Sequence, residues 1–286
     1  MSTFATALSQ ATARLRHRAS ARADAVLLLE HATGQSRAWI AAYGETALSA
    51  NAEAEFASLC ERRDTGVPVA YLVGSAGFYG YEFVVDESVL IPRPETEHLI
   101  DDAIAFIGDA PSAVLDVGTG SGAIACTIAA RTNARVDATD ISRDALQTAV
   151  ANAQRLGVGD RCRFHHGDLT VPVDGHRYDV VIANLPYVPS GDVPMRPDPI
   201  AFEPRVALDG GPDGLSYYRR LVARLPALVR SRALVLLEAA PPTIQALREL
   251  VQGSLTGFTI AALKDYAGLD RYVRAYRGSV PGPSER

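Results

Sequence analysis

Val114-Leu115-Asp116-Val117-Gly118-Thr119-Gly120-Ser121-Gly122-Ala123 is an apolar run that passes through three alternating glycines into a segment of helical character. Such a turn needs glycines because the backbone must bend tightly and a ligand must approach it without meeting a Cβ. The glycines alone do not choose the ligand. With Ala123 the run also satisfies the dinucleotide pattern, and Asp140 at the end of the next apolar run suits a ribose hydroxyl of a nicotinamide or a sulfonium cofactor. A tight β-to-α turn without any ligand would show the same glycines; Asp140 at the expected distance favours a ligand. Asp116, just before the glycines, leans towards S-adenosylmethionine, whose amino acid end a carboxylate there can serve. After the third apolar run, Gly167-Asp168-Leu169 offers an adenine contact from Asp168 and an apolar wall from Leu169, or else a plain aspartate turn.

Working outward, strand-like and helical segments alternate from the glycine loop towards the C-terminus, the pattern of a sheet covered by helices on both faces. The predicted strands are Ala113 to Val117, Arg135 to Thr139, Arg161 to His165, Tyr178 to Ala183, Ala233 to Ala239, Phe258 to Leu263 and Arg271 to Tyr276. Seven strands make one α/β, Rossmann-like, doubly wound domain, placed at 93–278. Upstream, Ala25, Leu28 and Leu29 share a helical face with Ala32, and Phe56, Leu59 and Cys60 recur at the same spacing, which predicts a small helical domain over 1–75. Gly77 to Leu90 holds two apolar or alternating runs around a polar turn and reads as a β-hairpin linker, assigned to 76–92. Residues 279–286, with their Pro, Gly and Ser content, read as a disordered tail.

The fourth strand ends in Asn184-Leu185-Pro186-Tyr187. Ligands of doubly wound sheets bind beyond the carboxyl ends of strands where the strand order reverses, next to the first and fourth. Asn184 therefore faces the transferred group. A planar amide nitrogen is a poor nucleophile because its lone pair is delocalised, and it gains positive charge as it attacks a methyl carbon. The Asn184 side-chain oxygen and the Leu185 carbonyl supply two acceptors for its N–H groups, Pro186 stiffens the turn and Tyr187 packs on the flat amide. Standing alone, the four residues read equally well as a turn whose asparagine caps a helix; the glycine loop upstream favours the chemical reading.

Composition narrows the class. With 286 residues, 48% hydrophobic and 21% charged, the chain can bury a large core. No apolar run reaches the roughly 18 residues needed to span a bilayer. In Met1 to Ser20, arginines follow a mixed stretch, so a cytoplasmic protein is expected. Cys60, Cys126 and Cys162 are too scattered for a disulfide framework or a metal cluster, and no metal is expected. The net charge is −5, with Lys264 the only lysine. This argues against sequence-independent nucleic-acid binding.

These residues resemble the HemK/PrmC-type release factor glutamine methyltransferases. The likeness runs through Pro68-Val69-Ala70-Tyr71-Leu72-Val73-Gly74, Leu90-Ile91-Pro92-Arg93-Pro94-Glu95-Thr96-Glu97, the glycine loop, Asn184 to Tyr187, Glu203-Pro204-Arg205 through Leu215, and Ala267-Gly268 with Asp270-Arg271. The resemblance implies a class I methyltransferase domain behind a helical domain that helps hold a release factor. It implies S-adenosylmethionine contacts at Gly118, Thr119, Gly120, Ser121, Gly122, Asp140, Leu169 and Asn184, and a grip on the Gly-Gly-Gln glutamine from Asn184, Leu185, Pro186 and Tyr187. Arg93 and Glu203 fall in family motifs as direct contacts or as a salt bridge supporting the loops. The expected partner is a release factor, with no direct nucleic-acid or membrane contact and a monomeric enzyme.

The chain departs from the family pattern in three places. Leu185 stands where Asn-Pro-Pro-Tyr is usual. Glu238-Ala239-Ala240 replaces Glu-Ile-Gly, with Ser231-Arg232 for the preceding glycine pair. Tyr266 and Leu269 stand where leucine and arginine are common. Alternatives to the glutamine reading are a DNA adenine methyltransferase, which must flip its base and hold a duplex, a glutamine methyltransferase for another protein, and an inactive cofactor-binding adaptor.

Overall fold

The computed structural model describes residues 2–265 and 267–278 and separates into two compact units. One runs to Ser75 and takes in Pro194–Phe202; the other comprises the rest. The helical unit holds α1 Phe4–Arg14, α2 Ala21–Thr33, α3 Arg37–Ala42, α4 Ala50–Asp64 and α5 Val69–Val73. Thr3, Ser36 and Ser49 cap α1, α3 and α4 by accepting from backbone N–H groups three residues on. The expected faces form its core, where Ala25, Leu28, Leu29, Phe56, Leu59 and Cys60 are buried and Ala32 packs at the edge.

β1 Ser75–Phe78 and β2 Tyr81–Val84 pair across Tyr79-Gly80. Both turn residues have positive φ, +50° and +76°, as a two-residue hairpin turn of the mirror-image kind demands. The polar stretch at 86–88 lies outside the hairpin. That stretch forms a separate aspartate turn, with Ser88 N–H donating to Asp86 Oδ1 at 2.8 Å.

The chain continues through α6 Glu97–Ile107, β3 Ala113–Val117, α7 Ala123–Arg131, β4 Arg135–Asp140, α8 Arg143–Arg155, β5 Cys162–His166, β6 Tyr178–Ala183, α9 Ser216–Leu228, β7 Val229–Glu238, α10 Ile244–Ser254, β8 Thr259–Lys264 and β9 Asp270–Arg277. The seven strands form one sheet in the order β5-β4-β3-β6-β7-β9-β8, parallel except for β9, which runs antiparallel to both neighbours. All seven expected strands are present, their ends shifted by a few residues at most. Alternate residues face opposite cores. Val114, Val180, Ile182 and Leu234 pack with α6 and α7, while Leu115, Val181, Ala183 and Val235 pack with α9 and α10. Because both faces are covered, the central strands β3 and β6 are apolar but for one aspartate each, Asp116 and Asp179, which is why they stand out in the sequence. The strand order reverses between β3 and β6, so the glycine loop and Asn184 emerge side by side at the carboxyl edge.

The expected tail, 279–286, lies outside the described residues, as does Tyr266. All three cysteines are buried and free. Among the described residues no helix is long and apolar enough to cross a membrane, and no cluster of metal-ligating side chains occurs.

Candidate active site

The glycine loop is held from beneath by Asp116. Its carboxyl is fully buried; Oδ2 accepts from Thr119 Oγ1 at 2.6 Å and from Ala125 N–H at 3.2 Å, while Oδ1 has no partner among the described residues. Burial pushes its pKa up to about 7, against those two hydrogen bonds. Asp140, at the tip of β4, accepts from Gly120 N–H at 2.9 Å and Ser142 N–H at 2.8 Å. Each of its oxygens keeps a further acceptor site. Burial raises its pKa, opposed by the same N–H groups. Gly118 has φ +76°, and a Cβ there would come within 2.8 Å of Leu185 Cδ2, so the loop and the asparagine turn are packed against one another.

At that turn, Asn184 Nδ2 donates to Thr96 Oγ1 at 3.0 Å. Leu185 is buried, and its N–H donates to the Tyr218 hydroxyl at 3.0 Å, which itself donates to the Glu238 carbonyl. This settles the departure from Asn-Pro-Pro-Tyr. A leucine brings an N–H that proline lacks, and Tyr218, wholly buried on α9, satisfies it. The Leu185 carbonyl takes no hydrogen bond from any described residue. The following residues are braced by the Asp209-Gly210 segment: Val188 N–H donates to Leu208 O at 3.0 Å and Gly210 N–H to Val188 O at 2.8 Å. A Cβ on Gly210 would sit 2.6 Å from Pro186 O, so glycine is required for this approach.

A cavity of about 460 Å³ joins the two loops, within the usual size of a cofactor site. Gly118, Thr119, Gly120, Ser121, Asp140, Asp168, Leu169, Asn184, Leu185 and Pro186 line it. Asp116 and Gly122 stand behind the lining, and Tyr187 lies beyond it, its pKa pushed up to about 12 by burial and by Glu238, against Arg271 and Arg93. Leu169 has φ +48°, which turns the segment after β5 towards the cavity.

Arg93 lines the cavity and pairs with buried Glu203 at 2.5 Å, which also accepts from Ile91 N–H at 3.1 Å. The structure thus shows the salt bridge that ties the Pro-Arg-Pro segment to the Glu-Pro-Arg segment. Sequence reading missed Thr96, Tyr218, Glu238 and Arg220. Arg220 pairs with Asp168 at the cavity edge. Thr96 sits inside the Pro-Arg-Pro-Glu-Thr-Glu run and Glu238 opens the Glu-Ala-Ala stretch, whereas Tyr218 and Arg220 carry no local signal.

Comparison with known proteins bears on this arrangement. Residues 6–74 match the model of the PrmC N-terminal domain and residues 114–195 that of a methyltransferase domain. The release factor glutamine methyltransferase of Moorella thermoacetica is 39% identical over 258 residues, 90% of this chain and 91% of its own. That of Bacillus subtilis is 36% identical over 96% of this chain and 98% of its own. The chain belongs to the release factor glutamine methyltransferase family. A methyltransferase from Pyrococcus furiosus shares the fold, with a TM-score of 0.53 at 17% identity, covering 71% of this chain and 92% of that one.

The methyl donor of a release factor glutamine methyltransferase is S-adenosylmethionine. The residues fit it: the loop exposes backbone at Gly118 and Gly120, Asp140 offers free acceptor positions for ribose hydroxyls, and Leu169 supplies an apolar wall. When bound, the donor supplies an electrophilic methyl on a sulfonium.

Proposed function

We propose that this chain transfers a methyl group from S-adenosylmethionine to the side-chain amide nitrogen of the Gly-Gly-Gln glutamine of a release factor, acting as a cytoplasmic monomer without direct nucleic-acid contact. The observation that carries the reading is the asparagine turn. Asn184 opens into the cavity beside the glycine loop, and the Leu185 carbonyl next to it is free to accept. Both are acceptors, as two amide N–H groups require when their nitrogen gains positive charge. No acid or base needs to act before the methyl moves. The chain's residues contribute by holding nitrogen and methyl in line, and such orientation can be worth roughly 7–11 kcal/mol.

On this reading Gly118, Thr119, Gly120, Ser121, Asp140, Asp168, Leu169 and Asn184 contact the donor. Asp116 and Gly122 shape the loop from behind. Asn184, Leu185 and Pro186 present the glutamine, and Tyr187 supports the turn.

The test is to offer the purified enzyme labelled S-adenosylmethionine with release factors in one reaction and adenine-containing duplex DNA in another. Label in the release factor and none in the DNA is expected. The reverse pattern would overturn the proposal in favour of adenine chemistry, and label in neither, with the donor bound, would mark a different protein target or an adaptor.

A further inference from the structure

Thr96 lies in the turn that opens α6, and Glu238 ends β7, the strand beside β6 and its Asn184. Both are buried, Thr96 to 4% exposure and Glu238 to 1%. Neither carboxylate oxygen of Glu238 meets hydrogen-bond geometry with any described group, although Thr96 and Asn184 stand close enough to favour its charged form. A buried charge without a partner is costly. A neighbour able to supply a hydrogen is therefore under strong pressure to do so.

Thr96 has one hydroxyl hydrogen and two acceptors nearby, the Glu238 carboxylate and the Asn184 side-chain oxygen. Hydrogen bonds to a charged acceptor are roughly twice as strong as neutral ones, so the Thr96 hydroxyl turns its hydrogen towards Glu238 even short of full hydrogen-bond geometry. The Thr96 oxygen then faces Asn184 as an acceptor, which Asn184 can answer only with Nδ2, the arrangement observed at 3.0 Å. That leaves Asn184 Oδ1 for the cavity. An asparagine turned the other way would present its NH₂ to a substrate that has only N–H groups to offer at the reacting nitrogen.

We propose that Glu238 and Thr96 are positioning residues: by directing the Thr96 hydroxyl away from Asn184 they fix the Asn184 amide with its oxygen towards the substrate amide. This rests on the glutamine reading above. Other groups around Glu238 are Arg271 on β9, Glu95 beside Thr96, Tyr187 after β6 and Tyr218 on α9. A protonated Glu238 would donate to Thr96 instead, freeing the threonine hydrogen for Asn184 Oδ1 and turning the amide. Activity therefore falls as pH drops through the titration of Glu238, whose burial pushes its pKa up to about 7.

The experiment compares full-length wild type, Thr96→Val, Thr96→Ser and Glu238→Gln in methyl transfer to a release factor, with S-adenosylmethionine affinity measured by calorimetry. Thr96→Val is expected to lower kcat by roughly 10- to 100-fold, with donor affinity and KM for the release factor nearly unchanged. Thr96→Ser restores kcat. The wild-type kcat rises through about pH 7, and Glu238→Gln abolishes that rise. Active wild type with an equally active Thr96→Val, or a pH profile unaltered by Glu238→Gln, overturns the proposal alone. Should Thr96→Val not fold, the serine variant and the pH profile of Glu238→Gln decide it. A wild type that methylates no release factor glutamine overturns the functional reading, and this proposal falls with it.

Discussion

Leu185 shows how one residue's departure is absorbed by another far along the chain. Its buried N–H is taken by the Tyr218 hydroxyl, so Tyr218→Phe is expected to cost about 1–3 kcal/mol by leaving that donor unpaired. Leu185→Pro removes the donor, and in the Tyr218→Phe background it should cost clearly less than in wild type. A double-mutant cycle by urea denaturation measures this, and additive losses would speak against the pairing.

Glu238 makes a second case. Its folded-state pKa of about 7 lies above the ordinary 4.5, so the folded protein holds this proton more tightly than the unfolded chain does. Stability from this group is then fully present below about pH 4.5 and lost as pH rises to about 7, roughly 3 kcal/mol in all. Glu238→Gln should therefore reduce the stability difference between pH 5 and pH 8; an unchanged difference would refute the assignment. Neither Tyr218 nor Glu238 was legible in the sequence as part of the site. A tyrosine in an amphipathic helix and an acid at a strand end acquire meaning only once β6, β7 and α9 are packed together.

Among the elements, α8 does more than cover the sheet. Asn152, buried on its inner face, accepts from Val84 N–H at 2.8 Å and donates to Val84 O and Ser121 O, each at 2.9 Å. One side chain thereby joins β2, the glycine loop and α8. Asn152→Ala should destabilise the enzyme by about 2–4 kcal/mol in denaturant unfolding and weaken donor binding, since the Ser121 backbone loses its tether. Unaltered donor affinity would confine Asn152 to a packing role. The strands were legible because a sheet covered on both faces needs predominantly apolar runs, and β3 and β6 match the expected limits residue for residue. The hairpin was legible as a hairpin but not in register: Tyr79 at φ +50° is an uncommon choice for a turn, and the acidic run nearby carried the stronger turn chemistry.

For the whole molecule, the glycine loop and the asparagine turn come together because parallel strands β3 and β6 are neighbours at the point of reversal. This much follows from the alternation of strands and helices, and it places Gly118 to Ser121, Asp140, Asp168, Leu169, Asn184, Leu185 and Pro186 around one cavity. The inclusion of Pro194–Phe202 in the helical unit was not legible, since it depends on contacts such as Gly66 with Phe202 that span more than half the core domain in sequence. The central claim is that this cavity methylates a glutamine amide held by the asparagine turn. The most direct measurement is mass-spectrometric mapping of the methyl group on a release factor after reaction with wild type and with Asn184→Ala. A single methyl on the Gly-Gly-Gln glutamine, lost when that glutamine is alanine and reduced by roughly 100-fold or more with Asn184→Ala, is the predicted result. A methyl on any other residue, or full transfer by Asn184→Ala, would contradict it.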